Sequence, residues 1–204
     1  MIRRTIRRWI RWVHEAVEKD HPVGPQLHHR KMAILNHFFQ PGAPVVETGT
    51  YLGQTTSWLA AKGFHVHSIE IHEPLYRQAV ASFAGNRNVT LYLGDSGVLL
   101  PTIIASVGSP AMNFWLDGHY SGGATGKADA YDNPISKEVE CILDKRSTGD
   151  LEAITLCIDD FRSFSNDPAY PTKEWLVDVA TRSGLHWTVV GDIFVMSTAR
   201  ITDA

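Results

Sequence analysis

The chain has 204 residues, 44% of them hydrophobic and 20% charged, with a formal net charge of −3. That length fits one large domain with a small appendage and suffices to bury a substantial core, and the acidic balance argues against a dedicated nucleic-acid binder, whose surface would be strongly basic. Two cysteines in apolar settings, Cys141 and Cys157, argue for buried thiols and a cytoplasmic location over a disulfide framework, and no run of about 18 apolar residues is present to form a transmembrane helix.

In chain order, residues 1–20 space Ile2, Ile6, Trp9, Ile10, Val13 and Val17 as a helix, with Arg3, Arg4, Arg7, Arg8 and Arg11 mostly on the opposite face. Two readings stand for this arm: a capping helix with a solvated basic face, or a surface that docks an anionic partner. It is also a candidate arm for homo-oligomer formation. It lacks the apolar stretch and cleavage site of a signal peptide. Prolines between Pro22 and Pro25 break the pattern, and a second helix is expected over 29–40, so residues 1–40 read as a helical extension and 41–204 as the main domain.

Strands are then expected at 44–48, 65–70, 89–93, 111–117 and 153–159, alternating with helices at 54–62, 75–83, 97–106, 135–144 and 172–183. Apolar runs at 187–190 and 193–197 flank Gly191-Asp192 and read as a closing hairpin. The series implies an α/β fold: a Rossmann-like, doubly wound, mostly parallel sheet covered on both faces, with an antiparallel C-terminal hairpin. The one long irregular segment, 118–134, has the length of a functional loop.

The chemistry concentrates at strand ends. Glu47-Thr48-Gly49-Thr50-Tyr51-Leu52-Gly53-Gln54-Thr55 joins the first strand to a helix. Its glycines suit a turn needing positive φ or close approach to a ligand, and the helix N-terminus offers unpaired N–H groups to an anion. Glu70 ends the second strand about twenty residues beyond this turn, the usual place for an acid that accepts from ribose hydroxyls. Asp95-Ser96 follows the third strand and suits either an adenine amine or a helix cap. Asp117 ends the fourth strand and Asp159-Asp160 the fifth.

Three carboxylates converging there need a cation, and oxygen ligands without cysteine suit Mg²⁺, Mn²⁺ or Ca²⁺. The alternative has Asp160 capping a turn and Asp159 paired with Arg162. His119 suits a general base, a metal ligand or a loop-orienting role.

These residues resemble class I S-adenosylmethionine-dependent methyltransferases from about Val45 to Asp160, with the closing hairpin also consistent. The glycine motif is similar to that of metal-dependent O-methyltransferases of the catechol and macrocin types. The resemblance implies Glu70 on the ribose, Asp95 and Ser96 near the adenine, Gly49, Thr50 and Tyr51 around the methionine end, and Glu47, Gly53, Thr55, Ile71 and Asp117 among the other residues that bind S-adenosyl-L-methionine. It implies a divalent cation, Mg²⁺ or a relative, on Asp117, Asp159 and Asp160, and methylation of a small-molecule hydroxyl on a sugar or phenol, with Asp117 and His119 catalytic. The catechol pattern has a lysine where this chain has Tyr120; the macrocin pattern has a base where it has His119. A rival reading is an NAD(P)-dependent short-chain oxidoreductase, but no tyrosine has a lysine four residues on. The other is a non-catalytic binding protein on the same fold.

Overall fold

The structure, a computed structural model, describes residues 25–117 and 133–201. The expected helix over 1–20, His119 and most of the loop 118–134 lie outside the described residues. Among the described residues, seven strands form one sheet: β1 (Val45–Thr48), β2 (Val66–Glu70), β3 (Val89–Leu93), β4 (Ala111–Leu116), β5 (Ala153–Ile158), β6 (His186–Val190) and β7 (Ile193–Ser197). Their spatial order is β3-β2-β1-β4-β5-β7-β6. The first five run parallel, whereas β7 pairs antiparallel with both β5 and β6. This is the Rossmann-like sheet with a closing antiparallel hairpin that the sequence implies. Gly191, at φ 59, supplies the positive φ of the two-residue hairpin turn.

The helices are α1 (Pro25–Phe38), α2 (Gln54–Ala61), α3 (Glu73–Ser82), α4 (Ser96–Val107), α5 (Ile135–Ser147) and α6 (Lys173–Arg182). Two helices begin earlier than the sequence pattern suggests. Both starts carry proline, in the first turn of α1 and of α3, where its fixed φ is helical and its missing N–H costs nothing.

Strand periodicity divides the core between two faces. Val46, Phe114, Leu156 and Phe194 face one cluster, filled by Leu100, Ile103 and Ile104 of α4, Val139 and Ile142 of α5 and Leu176 of α6. Their neighbours Val45, Trp115, Cys157 and Val195 face the other, filled by Met32, Ile34 and Leu35 of α1 and Leu59 of α2. Leu35 is fully buried, and burial of such a side chain stabilises by roughly 1.5–3 kcal/mol. Helix α1 is thus built into the wall of the sheet, which brings its polar residues to the strand ends.

Candidate functional site

β1 pairs with β2 on one side and β4 on the other, so the chain reverses its winding direction at β1. In open parallel sheets the crevice beyond the carboxyl ends at such a point is where ligands bind. Parallel register brings the ends of all five parallel strands to one edge: Thr48 lies beside Ile69 and Leu116, Glu70 beside Leu93, and Leu116 beside Ile158.

The turn after β1 is held open by backbone conformation. Gly49 has φ 88, Tyr51 φ 49 and Gly53 φ 73. A left-handed tyrosine is uncommon, and the cause here is a clasp from β2. Glu70 Oε2 accepts from the Tyr51 N–H at 2.8 Å, and Oε1 accepts from the His72 N–H at 2.8 Å. A carboxylate offers about four lone-pair positions, so Glu70 retains acceptor capacity after shaping the turn. The turn is fixed further by the Gly49 and Thr50 N–H groups, both donating to the Ile69 carbonyl. Tyr51 and Leu52 remain exposed at its tip.

Beneath the turn runs a buried polar relay. Thr50 Oγ1 lies 2.6 Å from Ser68 Oγ, Ser68 donates to Glu47 Oε2 at 2.6 Å, and Thr56 donates to the same oxygen at 2.5 Å. Burial pushes the Glu47 carboxyl up to about 7, against the lowering effect of the Ser68 and Thr56 hydroxyls and with a further raise from Glu70. Ser68 and Thr56 were not among the residues singled out by sequence. Thr55, which was, lies half-buried one position away in the first turn of α2. One step rotates a helical side chain by about 100°, and the signal for Thr56 was its place on the apolar, inward face with Leu59 and Ala60. Thr48 Oγ1 is buried at the end of β1 and makes no hydrogen bond among the described residues.

On the β3 side, Asp95 caps α4: its Oδ1 accepts from the Gly97 N–H at 2.8 Å. Of the two roles suggested by sequence, the cap is thus present. Ile71 is half-buried beside Glu70, and Ser96 is buried.

On the β4–β5 side the carboxylates stand in a different balance from the one expected. The Asp159 side chain is buried, and its Oδ2 takes the Lys31 ammonium of α1. Asp160, at φ 51, pairs with Arg162 at 3.1 Å; Arg162 also pairs with Asp192 at 2.8 Å. Asp192, at the hairpin tip, accepts from the Arg162 N–H at 2.7 Å and so fixes the segment after β5. Burial alone would pull the Lys31 ammonium down; the carboxylates of Asp159, Asp117 and Asp160 together outweigh it and hold it raised. Burial pushes the Asp159 carboxyl up, against the pull of Lys31.

Among the described residues, no group of three or more His, Cys, Asp or Glu side chains is arranged to hold a metal ion. The expected divalent-cation set of Asp117, Asp159 and Asp160 does not fit this arrangement: Lys31, from α1, and Arg162, two residues beyond Asp160, already sit on two of its three members. Lys31 stands far from these acids in sequence, and no local spacing marks it as their partner. Tyr170 stands nearby, edge-on to Phe164 at 5.1 Å, its hydroxyl raised by burial and by Asp160.

No protein-family model matches the chain, and no curated protein matches it. Solved structures share its fold. One is the CcbJ methyltransferase from Streptomyces caelestis, at 13% identity and a TM-score of 0.54, covering 91% of this chain and 94% of that one. Another is fibrillarin from Aeropyrum pernix, with natively bound S-adenosyl-L-methionine, at 13% identity and a TM-score of 0.51, covering 82% and 72%. A third is the N-terminal domain of EvdMO1, solved in the presence of SAH and D-fucose, at 16% identity and a TM-score of 0.50, covering 94% of each chain. The fold is that of class I methyltransferases.

Proposed function

We propose that this protein is an S-adenosylmethionine-dependent methyltransferase acting on the hydroxyl of a small molecule, a sugar or a phenol. The observation that carries the reading is the Glu70 clasp on the turn between β1 and α2. It places an acid with spare acceptor capacity at the sheet edge, directly against a turn of three positive-φ residues.

S-adenosylmethionine, when bound, supplies an electrophilic methyl group on sulfur. Glu70 accepts the ribose hydroxyls through its remaining lone pairs. Ile71 offers an apolar face to the adenine, with Asp95 and Ser96 at its rim. The backbone of Gly49, Thr50, Tyr51 and Gly53 follows the methionine end, and the N-terminus of α2, at Thr55, favours its carboxylate. Glu47 and Thr50 lie in the relay below and set the turn's position. Buried Thr48 Oγ1 suits such a ligand because a polar partner would relieve its isolation.

Asp117 is half-buried at the end of β4, on the edge assigned to the acceptor. It orients the acceptor hydroxyl, and His119, two residues on, takes its proton. Most of the acceleration then comes from holding the two reactants in line. No step is assigned to a divalent ion, because Lys31 and Arg162 occupy two of the carboxylates that would bind it.

The test is a ligand screen by thermal shift. S-adenosylhomocysteine should raise the unfolding midpoint, and NADP⁺ should not. Stabilisation by NADP⁺ alone would move the protein to the oxidoreductase reading, and stabilisation by neither to a non-catalytic role.

A further inference from the structure

We infer that Lys31 is the resident cation of the β4–β5 edge, a positioning residue that holds Asp159 where a divalent ion would otherwise be required. The inference deepens the reading of the acceptor side given above and rests on that reading only for what the edge is used for.

The charge balance carries it. Asp159 is buried with its Oδ2 on Lys31, and its Oδ1 is equally buried, with no side-chain partner of its own among the described residues. A buried carboxylate in that state requires a positive charge close by. Lys31 meets that need from α1, whose Met32, Ile34 and Leu35 anchor the helix in the core against Val45, Trp115 and Cys157. The same ammonium is raised by Asp117 and Asp160 as well as by Asp159, so it stands within electrostatic reach of all three acids. An ammonium carries three donors, and the Lys31 side chain keeps 21% of its surface exposed. One of those donors is committed to Asp159.

A divalent ion bound to the same carboxylates would stand beside that ammonium, and the two positive charges would repel strongly at such a separation. Lysine and metal are alternatives here, and the lysine is in place. Helix α1 then belongs to the working site and is more than a cover: it delivers the charge that sets Asp159 and, through the shared field, Asp117.

Manganese is the probe. The free Mn²⁺ signal in electron paramagnetic resonance reports uptake by the wild-type chain, Lys31→Ala, Lys31→Arg and the double variant Lys31→Ala/Asp159→Asn. The wild type and Lys31→Arg should take up no Asp159-dependent Mn²⁺ at millimolar concentration. Lys31→Ala should bind one ion at least tenfold more tightly, and the double variant should lose it. If Lys31→Ala folds only when Mn²⁺ is supplied, that recovery supports the inference equally.

Stoichiometric, Asp159-dependent uptake by the wild type would overturn it. So would a Lys31→Ala variant that binds no more tightly than the wild type, or one that Mn²⁺ fails to recover. S-adenosylhomocysteine calorimetry on the same wild-type sample separates the two proposals: absence of binding there defeats the methyltransferase reading and leaves the manganese result standing.

Discussion

Lys31 and Asp159, separated by 128 residues of chain, meet as an ion pair at the carboxyl end of β5. The Asp159 side chain is buried, so removal of its partner leaves an uncompensated charge in the core. Lys31→Met should cost about 3–5 kcal/mol of unfolding free energy, the usual penalty for breaking a buried pair from one side. Adding Asp159→Asn to Lys31→Met should recover a large part of that loss, because the stranded charge is gone. Urea denaturation of the two single variants and the double variant reads the coupling directly. Additive losses would show that the pair contributes nothing of its own.

Glu70 should control both the shape of the glycine turn and the affinity for S-adenosylhomocysteine. Glu70→Ala removes the acceptor for the Tyr51 and His72 N–H groups. A charge-assisted hydrogen bond contributes about 1.5–3 kcal/mol, so affinity by calorimetry should fall at least tenfold in a protein that remains folded. Glu70→Gln, with one carbonyl oxygen in place of two carboxylate oxygens, should fall between. An unchanged dissociation constant in Glu70→Ala would remove this residue from the site.

Gly53 and Gly63 offer a matched comparison of space against backbone strain. Both have positive φ, 73 and 88. A methyl group on Gly53 would lie 2.8 Å from the Phe83 ring, whereas one on Gly63 meets nothing within 4 Å. Gly63→Ala should therefore cost only the left-handed penalty of roughly 1–2 kcal/mol. Gly53→Ala should cost more and should displace the start of α2. Trimming the ring in Gly53→Ala/Phe83→Ala should return the excess, measured against Phe83→Ala alone. Equal losses for the two single glycine variants would contradict the contact.

Glu47 should give stability a pH dependence of unusual sign. Its folded-state carboxyl is pushed up to about 7 from an ordinary 4.5, chiefly by burial. The folded state therefore binds the proton more tightly than the unfolded chain does, and stability from this group falls as pH rises from about 4.5 to about 7. The shift corresponds to about 3 kcal/mol over that window. Glu47→Gln should flatten the trend while keeping a hydrogen-bonding group beside Ser68 and Thr56. Midpoints recorded between pH 4.5 and 7.5 for both proteins test this, and parallel curves would contradict it.

The sheet was legible because buried parallel strands are mostly apolar runs, as Val45-Val46 and Ile154 through Ile158, broken only by Thr155, show, and each ends in an acid at or just before the turn to the next segment. The hairpin was legible from Gly191-Asp192. What sequence left open is decided by geometry across distant segments. Lys31 lies on a helix far from Asp159, and no local spacing joins them. Arg162 was visible beside Asp160, but its second partner, Asp192, arrives only when the hairpin folds back. Asp95 fits two roles in the sequence, and the one its structure shows, the cap, appears only once the start of α4 brings the Gly97 N–H to its carboxylate. Pro25 read as a breaker because proline stops a helix from within and starts one from its first turn.

The central claim is that the edge shaped by Glu70 and the turn after β1 receives S-adenosylmethionine. Isothermal titration of the wild-type chain with S-adenosylhomocysteine tests it most directly. The account predicts saturable binding at one site per chain, weakened at least tenfold by Glu70→Ala, with no heat from NADP⁺. A folded wild-type protein that gives no heat with S-adenosylhomocysteine would contradict it.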